Sequence, residues 1–295
     1  MIDPSHKNTE QVDFRAEVIE YDRVAEVRTW QGPRYRMTYR VLGDGPALVL
    51  LPGLASTYRG YAPTLLRLAG RFQTIQLDYP GENPDDGAYL RRITHNDLVD
   101  DLFGLLNHLG LGQVQLFGLS FGSTLTLKAL HCEPSRFPKA ALQGGFARRR
   151  LMPPERLALA LGRNISGMTS RLPFHRKGLA LNNRVTFPPD QPDLWEFYVE
   201  ENGRTPIASL THRLDLLHQL DLRPILPEIQ TKVLVIHGTA DRIVPMARHA
   251  ELVAGLGRPN AVLMKRVGHQ PHWTHPRELA SLVGKFFDSA RPDLA

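Results

Sequence analysis

A serine between two glycines has the clearest chemical meaning in this sequence. Gly118-Leu119-Ser120-Phe121-Gly122 follows an apolar, strand-like run at residues 114–117 and precedes a helix-like run at residues 123–131. A serine on such a sharp strand-to-helix turn, called a nucleophile elbow, exposes its hydroxyl. Glycines are expected at both ends, because the two backbones approach closely and side chains there would collide. The pattern predicts that Ser120 is a nucleophile, if the chain also supplies a base, an acid and oxyanion donors.

The base predicted for this serine is His269, in a loop after the last predicted strand. A serine hydroxyl is a weak nucleophile at neutral pH and needs a base to accept its proton. The segment Val267-Gly268-His269-Gln270 lies where a histidine can reach back to the elbow. His272 and His275 are rival bases nearby, and we expect them to be surface or helix-capping residues.

The acid predicted to orient His269 is Asp241. It lies in a short segment directly after another apolar run, and a carboxylate there can stabilise the imidazolium that forms during catalysis. The alternative role for Asp241 is to form an Asx turn. Asp215 and Asp221 are alternative acids, but they fall in a helix-like stretch. We expect His237 to lie at the strand end and to hold the turn.

Two backbone N–H groups are predicted to stabilise an oxyanion. One is the N–H of Phe121, immediately after the nucleophile. The other is the N–H of Leu54, in a loop where Gly53 lets the backbone approach a substrate. Loss of one such donor can cost about 10²–10³ in rate. Three residues that follow could add a hydroxyl contact, although loop packing is the alternative: Ser56, Thr57 and Tyr58.

The composition is that of a globular chain of 295 residues with 42% hydrophobic residues. No stretch approaches the roughly 20 apolar residues of a membrane span, and residues 1–6 lack the apolar core of a signal peptide. The single Cys132, expected to be a small helix residue, excludes an intramolecular disulfide and indicates a reducing compartment. Exported bacterial proteins can also lack disulfides, but we expect a cytoplasmic protein. The oligomeric state stays open.

Strand-like and helix-like patterns alternate along most of the chain. This alternation predicts a mostly parallel sheet with helices on both faces. The first strands are expected to be antiparallel, and Thr94 and Gly110 are expected to cap the first long helix at its two ends. The predicted strands are residues 12–21, 25–30, 35–42, 47–51, 72–77, 114–117, 140–143, 233–236 and 261–267, and the predicted helices are residues 93–109, 123–131 and 276–287.

Residues 147–214 interrupt this alternation and are predicted to form a helical insertion over the carboxyl edge of the sheet. The core would then consist of residues 1–146 and 215–295. The insertion contains eleven Arg and Lys residues but only six Asp and Glu residues. This positive excess accounts for most of the chain's net charge of +6. We interpret this excess as a solvated surface, with attraction of anionic substrates as the alternative. Nucleic-acid binding is not expected, because no basic run is interleaved with aromatic residues.

From residue 35 to the C-terminus, apart from the insertion, the chain resembles the α/β-hydrolase superfamily. The order Ser120, Asp241, His269 is the order of that family's Ser-Asp-His triad. The resemblance implies an α/β-hydrolase fold with an eight-stranded, mostly parallel sheet and a helical cap, or lid, at residues 147–214. Many relatives have His-Gly at the oxyanion loop, where this chain has Pro52-Gly53. The serine argues against dehalogenase and epoxide-hydrolase relatives, whose nucleophile is an aspartate.

The expected function is hydrolysis of an ester or related acyl substrate through an acyl-enzyme, as in a carboxylesterase. No cofactor and no metal are expected, and the expected partner is a small-molecule acyl substrate. Alternatives that use the same triad are an acyltransferase, a lactonase, a C–C hydrolase and a perhydrolase. A ligand-binding protein of this fold without turnover is a further alternative. The sequence leaves the acyl chain length open.

Overall fold

An eight-stranded sheet forms the centre of the computed structural model, which describes residues 11–55, 57–81, 90–162 and 165–289. The strands are β1 (Glu26–Gln31), β2 (Arg36–Leu42), β3 (Ala47–Leu51), β4 (Gln73–Leu77), β5 (Gln115–Leu119), β6 (Lys139–Gln143), β7 (Lys232–Gly238) and β8 (Asn260–Met264). Their order in the sheet is β1-β2-β4-β3-β5-β6-β7-β8. β2 pairs antiparallel with β1 and β4, and the other neighbouring strands are parallel. The predicted sheet is confirmed.

Helices cover both faces of this sheet. The helices are α1 (Phe14–Val24), α2 (Ala62–Ala69), α3 (His95–His108), α4 (Phe121–Cys132), α5 (Pro153–Gly162), α6 (His175–Asn183), α7 (Pro192–Gly203), α8 (Ile207–Gln219), α9 (Met246–Gly255), α10 (Pro271–Thr274) and α11 (Pro276–Asp288). α1, α2 and α11 pack together on one face, and α3 and α4 pack on the other. None of the helices described is long and apolar enough to cross a membrane.

Alternate residues of the central strands belong to two separate core layers. In β3, Leu48 and Leu50 pack with α1, α2 and α11, whereas Val49 and Leu51 pack with α3 and α4. All four side chains are buried. This double burial is the reason for the continuous apolar run in the sequence, since side chains of a strand point alternately to the two faces.

The prediction of a strand at residues 12–21 is wrong, because this segment forms α1. The Asp13 carboxylate accepts a hydrogen bond from the Ala16 N–H and so caps the helix. Phe14, Val18 and Tyr21 are spaced so that they lie on one helical face, and all three are buried against the core. The apolar face and the cap together outweigh the partial alternation of β-forming residues.

The segment between β6 and β7 contains four of the described α-helices, α5 to α8. Three of its aromatic residues, Trp195, Phe197 and Tyr198, lie in α7 and are buried. Phe197 and Tyr198 pack edge-on against Trp273 of α10, in the sheet domain. This contact fixes α7 above the carboxyl edge of the sheet. The predicted boundary after residue 214 falls within α8.

Candidate active site

Ser120 lies at the turn between β5 and α4. Its backbone has φ 48° and ψ −108°, a conformation that non-glycine residues rarely adopt. A side chain at Gly122 would collide with the Leu51 carbonyl oxygen, and one at Gly118 would collide with the Thr126 hydroxyl. The close packing of β5, α4 and β3 thus requires both glycines, and the turn presents a half-buried serine.

A chain of hydrogen bonds joins Ser120, His269 and Asp241. The distance from His269 Nε2 to Ser120 Oγ is 2.9 Å, and the distance from His269 Nδ1 to Asp241 Oδ2 is 2.6 Å. An ionised carboxylate only accepts hydrogen bonds, so the Nδ1 proton is directed at Asp241. Nε2 then accepts the hydrogen bond from the serine hydroxyl. This arrangement can transfer the hydroxyl proton to the imidazole.

The Asp241 carboxylate is buried and held from both sides. Its Oδ1 accepts hydrogen bonds from the N–H groups of Ile243 and Val244, each at 2.8 Å. Burial acts to raise the pKa of this carboxyl, but the His269 imidazole and the Val244 N–H outweigh it and hold the pKa below its usual value. Asp241 is therefore ionised at neutral pH.

The three residues meet because they follow parallel strands. Ser120 follows β5, Asp241 follows β7, and His269 lies in the loop after β8, so all three reach one edge of the sheet. Gly144, directly after β6, lies against this group with φ 57°, and a Cβ there would lie 2.8 Å from His269 Cε1. Sequence reasoning missed this role of Gly144, although it marks the glycine as a strand end.

The loop that carries Gly53 and Leu54 lies beside Ser120. A Cβ at Gly53 would lie 3.8 Å from the Ser120 Cβ. Among the hydrogen bonds of the described chain, neither the Leu54 N–H nor the Phe121 N–H donates to a protein acceptor. Both donors are thus available to an oxygen bound next to the serine.

Three side chains hold this loop by its backbone, and sequence reasoning found none of them. The Tyr79 hydroxyl donates to the Pro52 carbonyl at 3.0 Å. The Tyr61 hydroxyl accepts from the Gly53 N–H at 2.7 Å. The third is Arg213 of α8, whose Nη1 donates to the Leu54 carbonyl at 2.7 Å and which is 1% exposed. Helix α8 thus contacts the loop directly.

The prediction that His272 is a surface or capping residue is wrong. His272 is 3% exposed, and its ring stacks on Tyr61 at a centroid distance of 4.8 Å. His275 does precede α11 as its N-cap residue. His237 lies in β7, where its buried ring stacks on His249 at 4.7 Å. His237 therefore lies near the end of β7, as expected, with its ring packed in the core, and its role in holding the turn stays a prediction.

The other candidates have different surroundings. Asp221 bonds to Arg223, and Asp215 accepts a hydrogen bond from Gln219. The Thr57 hydroxyl donates to the buried Glu201. The Tyr58 ring packs under the Arg40 guanidinium. Ser56 lies outside the described residues.

A cavity of about 350 Å³ opens onto Ser120 and His269. Gly53 and Leu54 line the cavity beside Ser120, and α6, α7 and α8 cover it from above. Most of the wall is apolar, including Phe146, Leu172, Leu179, Leu210, Leu214 and Val244. Its size and position suit a small organic substrate.

The arginines at residues 148–150 do not form a free cationic cluster at the cavity. Arg148 lies 3.6 Å from the Asp221 carboxylate, and Arg149, which lines the cavity, lies 2.7 Å from Glu155. In the ranges described, no group of three or more His, Cys, Asp or Glu residues is arranged to hold a metal ion.

The chain matches a known family over most of its length. The sequence model of the alpha/beta hydrolase family matches residues 48–282. The 2-hydroxy-6-oxononadienedioate/2-hydroxy-6-oxononatrienedioate hydrolase 2 of Pseudomonas putida is 26% identical over 279 residues, which cover 85% of this chain and 91% of that protein. The pimeloyl-[acyl-carrier protein] methyl ester esterase of Nitrosomonas europaea is 26% identical over 249 residues, which cover 81% of this chain and 94% of that protein.

Solved structures agree on the fold. The enol-lactonase of Burkholderia xenovorans LB400 superposes with a TM-score of 0.74 at 22% identity, covering 88% of this chain and 98% of its own. Relatives found by sequence are named as hydrolases, and their names specify small-molecule substrates or esters. Because the family match spans well over half of the sequence, and the fold agrees, the chain belongs to the alpha/beta hydrolase family.

Proposed function

We propose that this protein is a serine hydrolase that cleaves an ester or related acyl substrate through an acyl-enzyme. The observation that carries the proposal is the continuous hydrogen-bonded chain from Asp241 through His269 to Ser120. It supplies a nucleophile, a base and a group that orients the base, at the floor of a cavity sized for a small molecule.

In the proposed reaction, Ser120 Oγ attacks the acyl carbonyl while His269 Nε2 accepts its proton. The N–H groups of Leu54 and Phe121 stabilise the tetrahedral oxyanion. His269 then donates the proton to the leaving group, and the acyl-enzyme forms. Water, deprotonated by His269, attacks the acyl-enzyme and releases the acid. Asp241 stabilises the imidazolium at each stage.

Residues 147–214 act as the cap in this proposal, because α6, α7 and part of α8 cover the cavity above the serine. The apolar wall favours the uncharged part of an acyl substrate. A cytoplasmic location is supported by the single cysteine of the sequence.

A second candidate is hydrolysis of a carbon–carbon bond next to a ketone. It is favoured by the relative from Pseudomonas putida, which is named as a hydrolase of a 2-hydroxy-6-oxo dicarboxylate. Ser120 can attack a ketone carbonyl with the same oxyanion donors. Cleavage of the carbon–carbon bond then releases a carbanion, which takes from His269 the proton that Ser120 lost.

The test combines active-site labelling with a substrate panel. We expect a fluorophosphonate to label intact protein at Ser120, and short p-nitrophenyl esters to be hydrolysed. The Ser120→Ala variant should lose both properties, and Ser135→Ala, at a serine of the 3₁₀ turn after α4, should retain both. Mass spectrometry of a quenched reaction should detect an acyl group on Ser120.

Two results distinguish the alternatives. Turnover of 6-oxo dienoates at rates above those of all esters would favour the second candidate. If intact protein neither labels nor turns over any acyl substrate, and Ser120→Ala behaves identically, the hydrolase proposal fails and a ligand-binding role gains support.

A further inference from the structure

The buried imidazole of His272 has no function in the proposed triad. Its ring lines the same cavity as Ser120 and His269 and stacks on Tyr61, whose hydroxyl binds the oxyanion loop. Both ring nitrogens are buried, and within the described ranges neither has a hydrogen-bond partner. The side chain is therefore polar where the fold itself requires only a flat ring.

A buried polar atom without a partner lowers stability, because it has lost its bonds to water. A phenylalanine at this position would keep the stack on Tyr61 without that cost. A second buried polar atom at the same cavity, Oδ1 of Asn183, is also unpartnered, while its Nδ2 donates to the Leu179 carbonyl. Asn183 is 1% exposed and belongs to the cap. Two residues that line one cavity, His272 and Asn183, thus each contain buried polar side-chain atoms without a partner among the described residues.

The protonation state of His272 decides what it can bind. Burial, with a smaller effect of His269, lowers the pKa of His272 to about 3. The imidazole is therefore neutral at pH 7 and offers one N–H donor and one acceptor nitrogen. Such a group suits an uncharged oxygen, either a hydroxyl or a keto group, better than it suits an anion that needs a cation.

We infer that His272 is a substrate-binding residue that forms a hydrogen bond with a second oxygen of the acyl substrate, separate from the scissile carbonyl. This inference rests on the proposed function for its geometry, since the reacting carbonyl lies at Ser120. The substrate class is a short acyl compound that carries a hydroxyl or keto oxygen near the scissile bond. A purely aliphatic acyl group leaves the imidazole unpaired.

The first measurement is binding to the Ser120→Ala variant, so that it does not depend on turnover. The probes are ethyl butyrate, ethyl 2-hydroxybutyrate, ethyl 3-hydroxybutyrate and ethyl 3-oxobutyrate, titrated by NMR. We expect at least one oxygenated ester to bind about tenfold more tightly than ethyl butyrate, as one net hydrogen bond provides. The preference should disappear when His272→Phe is added and persist in part with His272→Gln. His275→Phe, at a ring outside the cavity wall, is the matched control and should keep the preference.

The second measurement is thermal stability. His272→Phe should unfold at the same temperature as the parent protein or at a higher one, because the substitution removes two unpaired buried nitrogens. A structural role for the imidazole would instead lower the unfolding temperature.

The inference is overturned if every oxygenated ester binds within twofold of ethyl butyrate, if none of the esters binds, or if the preference survives His272→Phe. Labelling of Ser120 by a fluorophosphonate is measured separately on intact protein. Failure of labelling counts against the hydrolase proposal, and failure of the binding preference counts against His272.

Discussion

At the scale of single residues, what the site can bind depends on which polar side-chain atoms already form hydrogen bonds within the protein. Asp241 uses one oxygen for two backbone N–H groups and the other for His269. Its position and charge are thus fixed before any substrate binds. Pre-organised groups of this kind require little rearrangement when the imidazolium forms.

Asp241→Asn should reduce kcat/KM by about 10³–10⁴-fold, because an amide N–H facing His269 favours the wrong imidazole tautomer. The measurement is steady-state hydrolysis of the best ester, with circular dichroism to verify folding. Asp221→Asn, at a carboxylate bonded to Arg223, is the control and should stay within about twofold of the parent. A loss of less than tenfold for Asp241→Asn would contradict the proposed role.

At the scale of elements, the nucleophile elbow depends on the contact between α4 and β3. Gly122 lies at this contact, and a side chain there would collide with the carbonyl oxygens of Leu51 and Pro52. Backbone atoms cannot move aside as a flexible side chain would. The strained φ of Ser120 is maintained by this packing from both sides.

Gly122→Ala should lower the free energy of unfolding by at least about 2 kcal/mol, because the methyl group forces α4 away from β3. Urea denaturation measures this effect. Gly112→Ala is the matched control, as a Cβ there meets no atom within 4 Å, and its stability should change by less than about 0.5 kcal/mol. Equal stability of the two variants would refute this account of the turn.

Helix α8 contacts the loop of Gly53 and Leu54 through a buried charge. Arg213 bonds to the Leu54 carbonyl, and its guanidinium lies 5.1 Å from the centre of the Tyr79 ring. Tyr79 in turn holds the Pro52 carbonyl. Movement of α8 would therefore shift the Leu54 N–H relative to Ser120.

Arg213→Met should lower kcat by about 10–100-fold with little change in KM, because it displaces the Leu54 N–H, which in the proposed mechanism acts mainly in the transition state. Arg213→Lys, which keeps a donor, should recover part of the activity. The exposed Arg156 of α5 provides the control, and Arg156→Met should leave both constants unchanged. An effect of Arg213→Met on KM alone would indicate a role in substrate binding.

At the scale of the whole molecule, several buried histidines make stability depend on pH. Burial lowers the pKa of His95 and of His237 to about 4, and that of His272 to about 3. In the unfolded chain each pKa returns to about 6.5. Below pH 6.5 the unfolded state therefore binds more protons than the folded state, and acidification favours unfolding.

The stability that these neutral histidines provide is fully present above about pH 6.5 and is lost as the pH falls towards 4. We expect the free energy of unfolding to be at least about 2 kcal/mol lower at pH 5 than at pH 7. Urea denaturation at both pH values measures it. His237→Phe should show a smaller difference between the two, because one titrating group is removed. A constant stability from pH 7 to pH 5 would contradict the burial of neutral imidazoles.

Local sequence patterns were sufficient for most of the sheet and for choosing Ser120, Asp241 and His269 as candidates. A continuous apolar run identifies a strand buried on both faces, and residues just past parallel strands reach the same edge. The prediction of a strand was wrong for α1, because a helix N-cap residue, Asp13, and a helical apolar face coincide there with β-forming residues.

Tertiary structure alone decided which side chains complete the site. The bond from Arg213 to Leu54 joins residues 159 positions apart, and no local pattern marks either of them as a partner. His272 lies in the short helix α10, and its ring is buried in a stack on Tyr61, a residue far from it in the sequence. Local patterns in the sequence were enough to predict that Ser120, Asp241 and His269 each follow a strand, because strand ends are local features. The surroundings of the cavity, and with them the choice of substrate, depend on contacts between distant segments that only the folded chain brings together.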